Sequence, residues 1–194
     1  MKNIISETLL ESIKVKEQFI KECGEDLITL SKKIVSSFTN DRKLLLCGNG
    51  GSAADAQHIA AEFVNRLEME RPPLPAISLS TDTSIITCIG NDYSFNEIFT
   101  KQIKAIGLEG DVLLAISTSG NSQNVLAAAE TAREMGIYVA GLTGGKGGKL
   151  KEICDLCLTV PSERTTRIQE SHILAGHIIC KLVDYILFQG GEED

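Results

Sequence analysis

The stretch Leu44 to Arg66, LLLCGNGGSAADAQHIAAEFVNR, decides the fold. Leu44-Leu45-Leu46-Cys47 is an apolar run bounded by a turn signal, which predicts a short strand buried on both faces. Gly48-Asn49-Gly50-Gly51-Ser52 follows as a glycine-rich turn. A helix opens there, expected from about Ser52 to Leu67. It carries His58 and Glu62 four residues apart, on one face. Strand, glycine turn and helix N-terminus in succession make a βα unit. Such a helix N-terminus offers unpaired N–H groups and the positive end of a dipole to an anion.

The same alternation continues outward. Arg71-Pro72-Pro73-Leu74-Pro75 cannot lie inside a helix, because proline lacks the N–H and clashes with the preceding turn. Strands are expected at Lys43–Cys47, Ala76–Leu79, Val112–Ile116, Tyr138–Leu142 and Leu156–Val160. Helices are expected through Ile85 and Ile89, over Phe95–Ile106 and Gln123–Met135, briefly up to Ile153, and over Thr165–Phe188. Gly90-Asn91-Asp92 reads as a turn. Before the first strand, two helical patterns cover residues 4–21 and Leu27–Phe38, with Gly24 as the interruption. Apolar strands alternating with helices predict an α/β fold. We expect a five-stranded parallel sheet, doubly wound as in flavodoxin, in a three-layer sandwich with N-terminal helices added. The chain reads as a single domain: N-terminal helices over 1–40, an α/β core over 41–190, and a tail over 191–194 expected to be disordered.

Bulk properties narrow the function. The 194 residues suffice for a sizeable core, and 43% hydrophobic with 23% charged is an ordinary globular composition. A net charge of −7 argues against a general nucleic-acid or membrane-surface binder. It leaves a phosphate ligand open, since backbone N–H groups bind phosphate without a basic surface. There is no secretory apolar segment at the N-terminus, and no run approaches about 18 uninterrupted apolar residues. A soluble cytoplasmic protein with reduced thiols is expected. Cys154-Asp155-Leu156-Cys157 is a lone C-x-x-C, without the second pair that a structural zinc site needs.

Gly48 to Ala53 also fits the dinucleotide pattern G-x-G-x-x-G/A. The acidic residue that should end the second strand is missing: Glu68 and Glu70 precede the prolines, and the strand runs into Ser80-Thr81. A phosphate-binding turn fits better than a dinucleotide fold. A second such loop, Ser117-Thr118-Ser119-Gly120-Asn121-Ser122, leaves the third strand and opens a helix. Its hydroxyls suit a phosphate, although serine and asparagine also serve as plain helix caps. His58 and Glu62 can bind a metal, act as acid and base, or form a solvated pair. Glu62 sits among Ala60, Ala61, Phe63 and Val64, a poor place for a surface carboxylate. The last helix is apolar nearly all round, hence buried. On it His177 falls about 80° from Gln169, two turns on, so both can face one cleft. His172 falls on the other side of Gln169, which makes His177 the better catalytic histidine and His172 a core or interface residue.

GNGGSAADAQH at 48–58, AISTSGNS at 115–122 and RIQESH at 167–172 resemble the sugar-isomerase (SIS) family. Within it they are most similar to the phosphoheptose isomerases, over nearly the whole chain, including NDYSF at 91–95. The resemblance implies a cytoplasmic homotetramer with active sites between subunits. It implies interconversion of sedoheptulose 7-phosphate and D-glycero-D-manno-heptose 7-phosphate, the first step toward ADP-heptose and the heptose of lipopolysaccharide core or other surface glycans. It places a zinc ion on His58, Glu62, Gln169 and His177. It places substrate contacts on Asn49, Gly50, Gly51, Ser52, Glu62, Asn91, Asp92, Ser117, Thr118, Ser119, Ser122 and Gln169. Glu62 is then the base and His177 the acid/base of an enediol mechanism. A zinc-bound carboxylate is a weaker base, so Glu62 carries two competing duties. A relative of another class is a non-catalytic regulator that binds the bacterial replication initiator. It replaces Glu62 and His177 and puts an arginine in the STSG loop. Here Glu62, His177 and Ser119 are intact, which favours the enzyme.

Overall fold

Five strands form one parallel sheet in the order β2-β1-β3-β4-β5. They are β1 (Leu44–Gly48), β2 (Ala76–Ser78), β3 (Val112–Ile116), β4 (Tyr138–Gly144) and β5 (Leu156–Val160). The computed structural model describes residues 1–190, so the tail at 191–194 lies outside the described residues. Every residue of β1 and of β3 is buried, as expected of strands covered on both faces. Their side chains alternate. Leu44, Leu46, Val112, Leu114 and Ile116 join one core, while Leu45, Cys47, Leu113 and Ala115 join the other.

The first core is closed by α1 (Lys2–Thr39), α2 (Gly51–Val64) and α7 (Thr165–Phe188). The second is closed by α3 (Thr83–Asp92), α4 (Thr100–Ile106), α5 (Gln123–Glu134) and α6 (Leu150–Ile153). Three layers result, with the flavodoxin strand order. α7 is long and apolar enough by composition to cross a membrane, yet Ile168, Ala175, Ile179, Cys180 and Val183 on it are spent on the first core. All six cysteines are free thiols.

Three expectations need correction. The N-terminus is one helix, not two: α1 runs through Gly24 without a break. A glycine inside a helix costs about 1 kcal/mol. Phe19, Cys23, Leu27, Leu30 and Ile34 keep one unbroken buried stripe across it, and that burial outweighs the cost. Gly90-Asn91-Asp92 is the last turn of α3, closed by the Tyr93 amide donating to Ile89 O at 3.0 Å. The helix begins at Asp82, whose carboxylate accepts from the Ile85 amide at 2.9 Å. The segment expected as one helix over Phe95–Ile106 is a 3₁₀ turn at Phe95–Glu97 followed by α4. Gln102 ties this segment to the sheet, donating to Leu79 O and Ile98 O.

Candidate active site

The order β2-β1-β3 reverses the direction of winding between β1 and β3, which opens a crevice beyond their carboxyl ends. Gly48 pairs with Ile116, so the next residues on each strand, Asn49 and Ser117, flank that crevice. The glycine turn and the Ser/Thr loop are therefore neighbours.

The glycine turn obeys local sterics. Gly50, the N-cap of α2, has φ 55° and ψ −119°, a conformation open to glycine and strained for other residues. A Cβ on Gly48 would meet Ser52 O at 2.7 Å. A Cβ on Gly51 would overlap the amide of Gln169. Ser52 is buried and its amide donates to Asn49 O at 3.0 Å, closing the turn. No side chain caps α2.

In the second loop, Ser122 is the N-cap of α5 but its hydroxyl makes no cap bond. It pairs instead with Ser117 Oγ at 3.1 Å. The plain capping explanation for this run of hydroxyls therefore fails at the residue where it should hold. Gly120, at φ 64°, turns the loop, and Asn121 Nδ2 donates to Ser119 O at 2.8 Å. Thr118 is half-buried and Ser119 exposed. The segment 147–150 backs the loop: the Leu150 amide donates to Gly120 O and the Lys149 amide to Asn121 Oδ1.

α2 and α7 run alongside in the same sense. Gly51 faces Gln169, and a Cβ on Gly176 would strike Ile59. This contact line brings His58 and His177 together, with Nε2 to Nε2 at 3.0 Å. Glu62 Oε1 lies 3.3 Å from His58 Nε2. One ligand atom from each of His58, Glu62 and His177 falls within 4.8 Å of the others. A tetrahedral zinc site with bonds of 2.0–2.1 Å needs donors about 3.3 Å apart. Two imidazoles and a carboxylate at these separations fit that ion. Glu62 is mostly shielded, its side chain 19% exposed against 49% for His58. Gln169 lies two turns before His177 on α7, and its amide rests against Gly51.

His172 points away from this cleft, as its place on α7 predicts. It is fully buried, with Nε2 3.0 Å from Thr143 O. Burial pushes its pKa down to about 4. Asp55, one turn before His58, has its carboxyl pushed up by burial, against the pull of His58. Asn91 and Asp92 are exposed on α3, which covers the opposite core from α2 and α7, and they hydrogen-bond to each other at 2.8 Å. Among the described residues they make no hydrogen bond to the other expected site residues.

Three residues escaped the sequence reading. Asn124, in the first turn of α5, exchanges two hydrogen bonds with Asn49. Arg71 donates to Glu62 O at 2.8 Å and to Phe63 O, holding the last carbonyls of α2, and pairs with buried Asp184 at 3.0 Å. No local pattern marks any of them. An arginine beside prolines reads as a loop charge, and Asn124 reads as one more polar residue at a helix start.

A parallel sheet whose glycine turn and Ser/Thr loop meet at its switch point, with a His/Glu/His cluster between α2 and α7, defines an α/β domain with a candidate small-molecule site. The SIS domain family model matches residues 10–144. The phosphoheptose isomerase of Nitratidesulfovibrio vulgaris is 51% identical over 97% of this chain and 90% of its own length. The solved phosphoheptose isomerase of Neisseria gonorrhoeae is 45% identical, covers 94% of this chain and 98% of its own, and superposes with a TM-score of 0.89. That of Francisella tularensis is 42% identical, covers 94% and 97%, and superposes at 0.91. The chain belongs to the SIS domain family and, within it, to the phosphoheptose isomerases, which are aldose–ketose isomerases.

Proposed function

We propose that this chain interconverts sedoheptulose 7-phosphate and D-glycero-D-manno-heptose 7-phosphate through an enediol. The observation that carries the reading is the convergence of Glu62 with His58 and His177 between α2 and α7, in a chain whose Ser117–Ser122 hydroxyls are turned on one another rather than spent on capping α5. In this reading Ser117, Thr118, Ser119 and Ser122 hold the phosphate, with backbone N–H groups at the start of α5. Asn49, Gly50, Gly51 and Ser52 hold the reacting end of the sugar, with Gln169. Anchoring the far phosphate fixes the reacting carbons against Glu62, so binding energy is converted into position. Glu62 takes the proton from carbon 1 of the ketose and returns it to carbon 2. His177 carries the matching proton between the two oxygens.

His58, Glu62 and His177 would hold a zinc ion, with the Gln169 amide oxygen as the fourth ligand that the family resemblance implies. Bound zinc would supply Lewis-acid polarisation of the sugar oxygens. We also read the chain as one SIS domain acting as a cytoplasmic homotetramer in the supply of ADP-heptose for surface glycans. Two features support shared sites. Ile4, Ile5, Leu9 and Leu10 on α1 are each more than half exposed, and Asn91 and Asp92 lie apart from the cluster within one chain.

Turnover of sedoheptulose 7-phosphate by the purified protein, with and without added zinc, is the test. Glu62→Gln and His177→Gln should each lower kcat by about 100-fold or more while the oligomer survives. Near wild-type turnover by either variant would overturn its role.

A further inference from the structure

Asn49 and Asn124 exchange a reciprocal pair of amide hydrogen bonds, Nδ2 to Oδ1 at 2.8 Å in each direction. Asn49 belongs to the glycine turn after β1, and Asn124 to the first turn of α5, just past the Ser/Thr loop. Asn124 is 2% exposed and sits on α5, so its carboxamide is enclosed where it meets Asn49. Asn49 is half-buried and stands at the mouth of the crevice. A two-bond amide pair fixes both distance and rotation, which a single bond does not. It also settles which face of the Asn49 carboxamide is donor and which is acceptor.

Among the described residues, the pair is the one side-chain hydrogen-bonded bridge between the glycine turn, which the proposed function gives the reacting end, and the start of α5, just past the phosphate loop. We infer that Asn124 is a positioning residue: it sets the spacing and the amide orientation of Asn49 relative to the phosphate loop. The inference rests on the functional reading above. The substrate is anchored through its phosphate on the Ser117–Ser122 side, so loosening Asn49 leaves that anchor in place. The cost then falls on chemistry rather than on capture. Small misplacements of a reacting group cost rate steeply, up to about 100-fold for 1 Å.

The experiment is a double-mutant cycle on sedoheptulose 7-phosphate turnover, using Asn49→Ala, Asn124→Ala and both together, with thermal unfolding of each. Asn124→Ala is expected to lower kcat about 10-fold with KM changed less than about threefold. In the Asn49→Ala background the same change is expected to cost less than about twofold, since its route of action is gone. Asn124→Asp is the second variant. It keeps the acceptor for Asn49 Nδ2 and loses the donor to Asn49 Oδ1, and its loss should also vanish in the Asn49→Ala background. An equal loss in both backgrounds, a loss carried by KM, or full activity of a folded Asn124→Ala would each overturn the inference. Absence of wild-type turnover would instead sink the functional reading on which it rests.

Discussion

His58 Nε2 stands 3.0 Å from His177 Nε2, although 119 positions separate the two residues. Two ring nitrogens at that distance share a proton or a cation. With Glu62 Oε1 3.3 Å from the same His58 nitrogen, three donors lie within 4.8 Å of one another, and two of their separations are near the tetrahedral value for zinc. A protein incubated with zinc and desalted should therefore retain about one ion per chain by elemental analysis. His58→Ala removes the donor common to both short contacts and should drop retention well below half. Full retention in that variant would place the ion elsewhere.

Gly51 is a probe of Gln169. A Cβ there would overlap the Gln169 amide, and the Gln169 Cδ would lie 2.9 Å away. The obstacle is the far end of a flexible side chain, so the fold can absorb it. Gly51→Ala should melt within a few degrees of wild type yet lose about 10-fold in turnover, because the amide is pushed out of the crevice. Gly48→Ala strikes the Ser52 backbone instead and should lower the melting temperature more. Activity of Gly51→Ala equal to wild type would separate Gln169 from the site.

Arg71 holds the end of α2 that bears Glu62. Its side chain is 1% exposed and its partner Asp184 6%. Arg71→Met leaves the Asp184 carboxylate buried without its cation, which costs about 3 kcal/mol or more. The urea midpoint should fall with an unchanged slope. Asp184→Asn should cost less, since the amide still accepts from Arg71. A loss below about 1 kcal/mol in Arg71→Met would show that the site relaxes around the missing ion.

His172 predicts a pH dependence of stability. Its folded pKa is pushed from 6.5 down to about 4 by burial. Between those values the unfolded chain binds a proton that the folded chain does not. Stability from this group is thus complete above about pH 6.5 and is lost as pH falls toward 4. The full loss is about 3 kcal/mol. His172→Gln should flatten the stability curve over that window. An unchanged slope would mean that other groups govern the acid limb.

The strands were legible because their signal is local. Val112–Ile116 and Leu156–Val160 fall where apolar runs and flanking turns put them. Gly24 misled the reading of α1, because propensity is counted per residue whereas the stripe from Phe19 to Ile34 is a property of the packed face. The same holds for Gly90 at the end of α3.

At the site, the chemistry of each loop was readable: glycines where φ is positive, hydroxyls after β3, and a His/Glu pair one helical turn apart. The angular argument on α7 also separated His177 from His172, since both sit on one rigid helix. Nothing local says that α7 lies beside α2 in the same sense, that Asn124 meets Asn49, or that Arg71 reaches Asp184. Those meetings depend on which helices share a face of the sheet and at what register. That is settled by close packing over the whole first core, where Gly176 admits Ile59 and Gly51 admits Gln169. Residue types and spacings along Leu44–Arg66 thus set what each group can do, and the packing of distant helices sets which groups do it together.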